Sequence, residues 1–171
     1  MRRRTTVALL TIAVCAAFIA GTWPTTPSGI SAVTSATPMR STVLVLTIGS
    51  ADMMIDGRMM TLDAPPVIIE SRTLVPIRPI AEALGAAVSW NPLTRTVTIA
   101  GQTADLSLVI GSGAAHVNGV SVAIDPANAN VVPIIVNGRT MLPVRFVVES
   151  LGATVAYDAM MHRITITYSM P

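Results

Sequence analysis

The chain repeats itself, and this constrains its fold more than any other feature. Residues 44–63 read LVLTIGSADMMIDGRMMTLD, and residues 106–125 read LSLVIGSGAAHVNGVSVAID. Leu, Ile-Gly-Ser, the turn glycine and the final Asp coincide. Residues 71–99 and 138–166 then share Arg-Thr, Pro, Arg, Glu, Leu-Gly-Ala, an aromatic and a closing Thr-Ile. The second copy gains five residues between these blocks, within PANANVVPIIVN, which is predicted to be a loop. The sequence thus divides into a first copy over about 43–100 and a second over about 105–168.

Each copy predicts the same local structure. Residues 44–48 and 106–110 alternate as strands. Hairpins follow, turning at Asp56-Gly57 and Asn118-Gly119, dipeptides that favour the primed turns whose twist matches paired strands. Another strand leads through RTLVP or RTMLP into a proline. A proline opens a helix without loss, because the first helical N–H has no partner in any case. Ile77, Ile80, Ala81 and Leu84 then form an apolar helical stripe, and Val144, Val147, Val148 and Leu151 repeat it. Gly85 and Gly152 end the helices. A final hairpin pairs AVSW with TVTI, and TVAY with ITIT.

A helix of two turns cannot stand alone, and a sheet with one apolar face must cover that face. The predicted fold is therefore α+β. It consists of two repeated units, each a small antiparallel sheet wrapped around its own short helix, with a continuous core between them.

Composition fits such a core. Half of the chain is apolar and 12% is charged, which excludes a highly charged disordered chain. The formal charge of +2 comes from Arg2, Arg3 and Arg4. Without them the chain is nearly neutral, so no basic face points to nucleic acid.

Those arginines precede the apolar run VALLTIAVCAAFIAG, the pattern of an export signal. Residues 1–22 are read as a signal peptide or, if retained, an N-terminal anchor; the run is short for a membrane span. Membrane contact is expected only through this segment. Cys15 is the single cysteine, and Val14 before it disfavours lipidation. Residues 23–42, rich in Pro, Ser and Thr, read as a linker, and residues 43–169 as the folded domain.

The repeated pattern resembles the copper amine oxidase N-terminal-like, or stalk, domain family. The first copy carries it on Asp63, Pro65, Pro66, Arg72, Thr73, Pro76, Arg78, Glu82, Leu84, Gly85, Ala86 and Trp90. The second carries it on Asp125, Arg139, Thr140, Pro143, Arg145, Glu149, Leu151, Gly152, Ala153, Tyr157 and Asp158. The departures are modest: Asn91, Asp158 and the insertion in the second copy. The resemblance implies antiparallel strands around a helix and a non-catalytic stalk. It does not imply amine oxidation, which needs a quinone-forming tyrosine and three histidine ligands in a separate domain.

Several side chains are candidates for function. Arg78 with Glu82, and Arg145 with Glu149, have the i,i+4 spacing of helix ion pairs. They read first as structural, and second as a site for an acidic sugar or peptide. An arginine in the first helical turn faces the unfavourable end of the dipole, so Asp63 and Asp125 are the expected partners of Arg78 and Arg145. Trp90 and Tyr157 read first as core or hairpin-corner residues, and second as platforms for a sugar ring.

Met54, Met59, His116 and His162 are weak candidates for a soft metal such as copper(I). Around Asp56-Gly57, Met53, Ile55, Met60 and Leu62 are predicted to face the core, and Met54 and Met59 to face outward. No cofactor is expected, and no nucleophile elbow, phosphate loop or HExxH motif occurs. The sequence thus points to an exported, non-enzymatic module of the cell envelope that recognises a wall polymer or another envelope protein. Soft-metal binding and an enzyme of unrecognised type are the alternatives.

Overall fold

The computed structural model describes residues 41–169; the segments read as export signal and linker lie outside them, except that the first strand begins at Ser41, inside the expected linker. The first copy supplies β1 (Ser41–Thr47), β2 (Asp52–Ile55), β3 (Arg58–Thr61), β4 (Val67–Ile69), β5 (Arg72–Pro76), α1 (Ile77–Ala83), β6 (Ala87–Asn91) and β7 (Thr96–Ala100). The second supplies, in the same order, β8 (Asp105–Val109), β9 (Ala114–Val117), β10 (Val120–Ala123), β11 (Ile134–Val136), β12 (Arg139–Pro143), α2 (Val144–Ser150), β13 (Thr154–Asp158) and β14 (Arg163–Ser169). The described residues are mostly β, with every strand pairing antiparallel. Among them no helix is long and apolar enough to cross a membrane.

The hairpins form because their turns fit. Asp56 (φ 49°) and Gly57 (φ 80°) both lie in the left-handed region, as do Asn118 (φ 51°) and Gly119 (φ 80°), the requirement of a type I′ turn. The carboxylate of Asp56 also accepts a hydrogen bond from Val43 N at 2.8 Å, and the side chain of Asn118 accepts one from Asp105 N at 2.9 Å. A short side chain with an oxygen at this position therefore ties the turn back to the first strand.

The helices end in Schellman motifs. Ala86 N donates to Ala81 O and Gly85 N to Glu82 O; Ala153 N donates to Val148 O and Gly152 N to Glu149 O. This explains the repeated Leu-Gly-Ala. The leucine is buried, the glycine takes φ near +80°, and the alanine is buried where the chain leaves. Pro76 and Pro143 sit one residue before the helices, in extended conformation. All eight residues of the two predicted apolar stripes are buried.

The expectation that each copy makes its own sheet is not met. One five-stranded sheet runs β13-β14-β1-β2-β3, a second runs β10-β9-β8-β7-β6, and a four-stranded sheet runs β11-β12-β5-β4. Each draws strands from both copies. The last hairpin of one copy completes the sheet begun by the first hairpin of the other, and β5 pairs with β12 at the middle. There Val75 faces its own counterpart Leu142, with Leu74 opposite Pro143 and Pro76 opposite Met141. The pairing is thus two-fold symmetric in the copies. The physical reason is that β1 and β7 would each be an unprotected edge within a single copy; β14 and β8 cover them.

The expected continuous core is present. One cluster of buried residues includes Leu44, Val75, Ile80 and Ile99 of the first copy with Leu106, Leu142, Val147 and Ile166 of the second. No polar or charged residue is buried among the described residues. Two local expectations change. The insertion predicted to be a loop contains β11, which pairs with β12 through a turn at Asn137-Gly138. Met60 pairs with Met53 as predicted, yet it is 46% exposed whereas Met53 is fully buried. Met60 lies on β3, which is the outermost strand of its sheet among the described residues, so no described strand beyond it extends the core.

Candidate functional site

Any chemistry of the described residues belongs to their surface, since none of their polar side chains is buried. Two surface cavities stand out, of about 590 and 390 Å³. The copies relate them at most of their lining positions. The larger is lined by Arg72, Thr73, Asp125, Arg145, Glu149 and Tyr157, among others. The smaller is lined by Arg139, Thr140, Asp63, Arg78 and Trp90, the counterparts of all but Glu149. Each groove therefore presents two arginines, an aspartate, a threonine and a hairpin-corner aromatic, and the larger adds Phe146 where the smaller has Pro79.

Strand exchange between the copies builds both grooves. In the first, Arg72 and Thr73 come from β5 of the first copy, and the other named residues from the second. In the second, Arg139 and Thr140 come from β12, and the other named residues from the first copy. An ion pair crosses the junction in each case: Arg72 Nε to Asp125 Oδ2 at 2.5 Å, and Arg139 Nε to Asp63 Oδ2 at 3.0 Å. Asp63 and Asp125 thus bind Arg139 and Arg72, and are not the partners expected for Arg78 and Arg145. The side chains that begin β5 and β12 reach the other copy because those strands pair at the centre.

Asp125 is the more strongly held of the two carboxylates. Ala127 N donates to its Oδ1 at 2.9 Å and Arg72 to its Oδ2. The backbone hydrogen bond from Ala127 is the main cause that holds its pKa below the ordinary value; burial opposes it, and the bond and charge of Arg72 add to the lowering.

The helix arginines face outward. Arg145 lies 3.8 Å from Glu149, both well exposed, a pair of the kind that contributes little to stability. The equivalent expectation for Arg78 and Glu82 is not met: Arg78 takes part in none of the three ion pairs among the described residues. Trp90 and Tyr157 are 37% and 45% exposed, so neither is a core residue. They stand at the ends of β6 and β13, immediately before the side chains that cap the next turn. Asn91 Oδ1 accepts from Leu93 N and Thr94 N, and Asp158 Oδ1 from Met160 N and Met161 N. The hairpin-corner placement is correct, with the ring half open to solvent.

The methionine and histidine candidates are dispersed. Met54 opposes Met59 across β2 and β3, and both are exposed, at 42% and 73%. His116 opposes Ser121 in the second five-stranded sheet. His162 occupies a left-handed turn position (φ 49°) that Arg95 (φ 51°) fills in the first copy, and its Nδ1 lies 3.4 Å from Tyr157 Oη. Among the described residues no three of His, Cys, Asp and Glu are grouped to hold a metal. Two thioethers and no gathered histidine make a poor ligand set for copper.

Sequence reasoning placed Arg78, Arg145, Trp90 and Tyr157 as separate candidates. The structure joins each aromatic to its helix arginine, adds Arg72, Thr73 and their counterparts, and gives Asp125 and Asp63 to Arg72 and Arg139. The signal for the added residues was their repetition in both copies, but their pairing across the copies required the fold.

The fold and surface define a class: a largely antiparallel β module, built from two interleaved copies, with a duplicated groove. The comparison with known families agrees. The chain matches the copper amine oxidase N-terminal domain over residues 33–78 and again over 54–166, and it belongs to that family. The match is to the N-terminal domain alone; the oxidase catalytic domain is not matched. Neither a curated protein nor a solved structure matches the chain.

Proposed function

We propose that this chain is an exported, non-catalytic binding and spacing module of the cell envelope, which holds a wall polymer or another envelope protein in its two equivalent grooves. The family match supports a stalk-like role without catalysis. The basic and apolar N-terminal segment supports export. The observation that carries the binding reading is the duplication of a half-exposed aromatic beside a surface arginine, once in each groove. Such a pair places an apolar ring face and a multidentate donor on one rigid surface. The cavities fall within the range of about 300–1,000 Å³ that suits a small group such as a sugar ring or a few residues of peptide. Two sites on one rigid body can engage a repeating polymer at two points, which raises avidity without new contacts.

The test is retention of the mature protein on purified cell wall. Retention above that of an unrelated secreted protein is expected, with loss in a Trp90→Ala/Tyr157→Ala double variant. Equal retention of the protein and the control ends the reading.

A further inference from the structure

The two grooves are equivalent in position but not in charge. The Tyr157 groove sets Arg72 and Arg145 against Asp125 and Glu149. The Trp90 groove sets Arg78 and Arg139 against Asp63 alone. Arg145 is drawn toward Glu149, at 3.8 Å, whereas Arg78 makes no ion pair with any described residue. The Trp90 groove therefore keeps one guanidinium free, and the larger ring of tryptophan forms its wall. Thr140 and Ser89 add hydroxyl groups along it.

We infer that the Trp90 groove binds a carboxylate-bearing sugar of an anionic glycan, and that the Tyr157 groove does not discriminate by charge. This rests on the binding-module reading above and names the ligand class of one of its two grooves. The chemistry of each wall selects this ligand. The open face of an indole stacks on the apolar C–H face of a pyranose, while Thr140 and Ser89 exchange hydrogen bonds with ring hydroxyls. A guanidinium matches a carboxylate in a planar, bidentate pair. Arg139 is already held by Asp63, so Arg78 is the residue free to meet the carboxylate. An acidic peptide would meet the same arginine, but it offers the indole no sugar face.

The experiment titrates the mature protein with oligogalacturonate, a soluble carboxylated glycan, and in parallel with a neutral chito-oligosaccharide of equal length. Binding is read by calorimetry and by tryptophan fluorescence in a Trp23→Phe background, which leaves Trp90 as the single indole. Saturable oligogalacturonate binding is expected, weakened by added salt and weakened about tenfold or more by Arg78→Gln. Arg145→Gln is expected to change it less than about twofold, since Arg145 already has a carboxylate beside it. Both substitutions are at exposed positions, and unchanged thermal melting shows that the variants are folded.

Equal affinity for the neutral glycan, or no effect of Arg78→Gln, overturns the inference. Retention on cell wall together with no oligogalacturonate binding overturns it too, while leaving the binding-module reading standing. Loss of both results removes the two together.

Discussion

A fragment holding one copy alone, residues 41–104, is expected not to fold as a monomer. In the whole chain β1 pairs with β14 over seven residues from Ser41 to Thr47. β7 pairs with β8 over five residues, and β5 with β12 over three. The isolated copy loses all three partners at once. It also uncovers Leu44, Leu46, Val75, Ile80, Val97 and Ile99, each at most 1% exposed in the intact core. Burying one such side chain is worth about 1.5–3 kcal/mol, so exposing six costs on the order of 9–18 kcal/mol. That figure is an upper bound, because unfolded chains already bury some apolar surface. It nevertheless matches or exceeds the whole stability of an ordinary domain, about 5–15 kcal/mol.

A second fragment offers the missing surfaces, because every feature that joins the copies has its equivalent within each. Val75 would face Val75 at the two-fold, and Arg72 would meet Asp63 of the other fragment. Sedimentation velocity and far-UV circular dichroism across a concentration series test this. Unfolded fragment at low concentration, passing to a folded dimer at high concentration, is expected. A folded, cooperatively melting monomer at low micromolar concentration would falsify the interleaved arrangement as the source of stability.

Four further perturbations follow from the same geometry. Ser71 holds φ +59° at a turn position where the second copy has Gly138. Ser71→Gly is expected to relieve left-handed strain and raise stability by about 0.5–1 kcal/mol, measured by urea denaturation. Gly101→Ala places a Cβ 2.6 Å from Leu151 Cδ2 and 2.8 Å from Ala104 O; a lower melting temperature is expected, from a loss of about 1–3 kcal/mol. Asp125 has a lowered pKa in the folded state, so its stabilising effect is present above the unfolded carboxylate value of about 3.9 and fades as pH falls through the lower folded value. Asp125→Asn should therefore be less stable than the parent near neutrality, with the gap closing below about pH 4; a gap that stays constant down to pH 2 would count against the assignment. Finally, Ser41 lies directly across from Ser169, so a circular permutant joined there by a short linker and opened within residues 101–104 should fold and melt cooperatively. Failure of that permutant would mean that the loop between the copies does more than connect β7 to β8.

That loop shows where the sequence stops being informative. The elements were legible because each is set by its own few residues. Asp56-Gly57 and Asn118-Gly119 dictate a twist-matched turn, and Leu-Gly-Ala dictates how a helix ends. The turn at Glu70-Ser71 was not legible, because its two residues take left-handed φ without glycine, and β4 before it was missed for the same reason. Internal repetition states which segments are equivalent. It does not state which segments pair, since a copy closed on itself and a copy closed on its neighbour carry the same pattern. The cross-copy partners of Asp63 and Asp125 follow from that choice, and so do the two grooves. Arg72 and Asp125 lie 53 residues apart and meet because β5 and β12 cross at the middle of the chain's symmetry. Divergence between equivalent positions is then the most informative signal left in the sequence. Trp90 against Tyr157, and Arg78 against an Arg145 that faces Glu149, matter because the fold places them in matching surroundings. Differences in what the two grooves bind arise at such positions, with Phe146 against Pro79 and Ser89 against Ala156 adding to them.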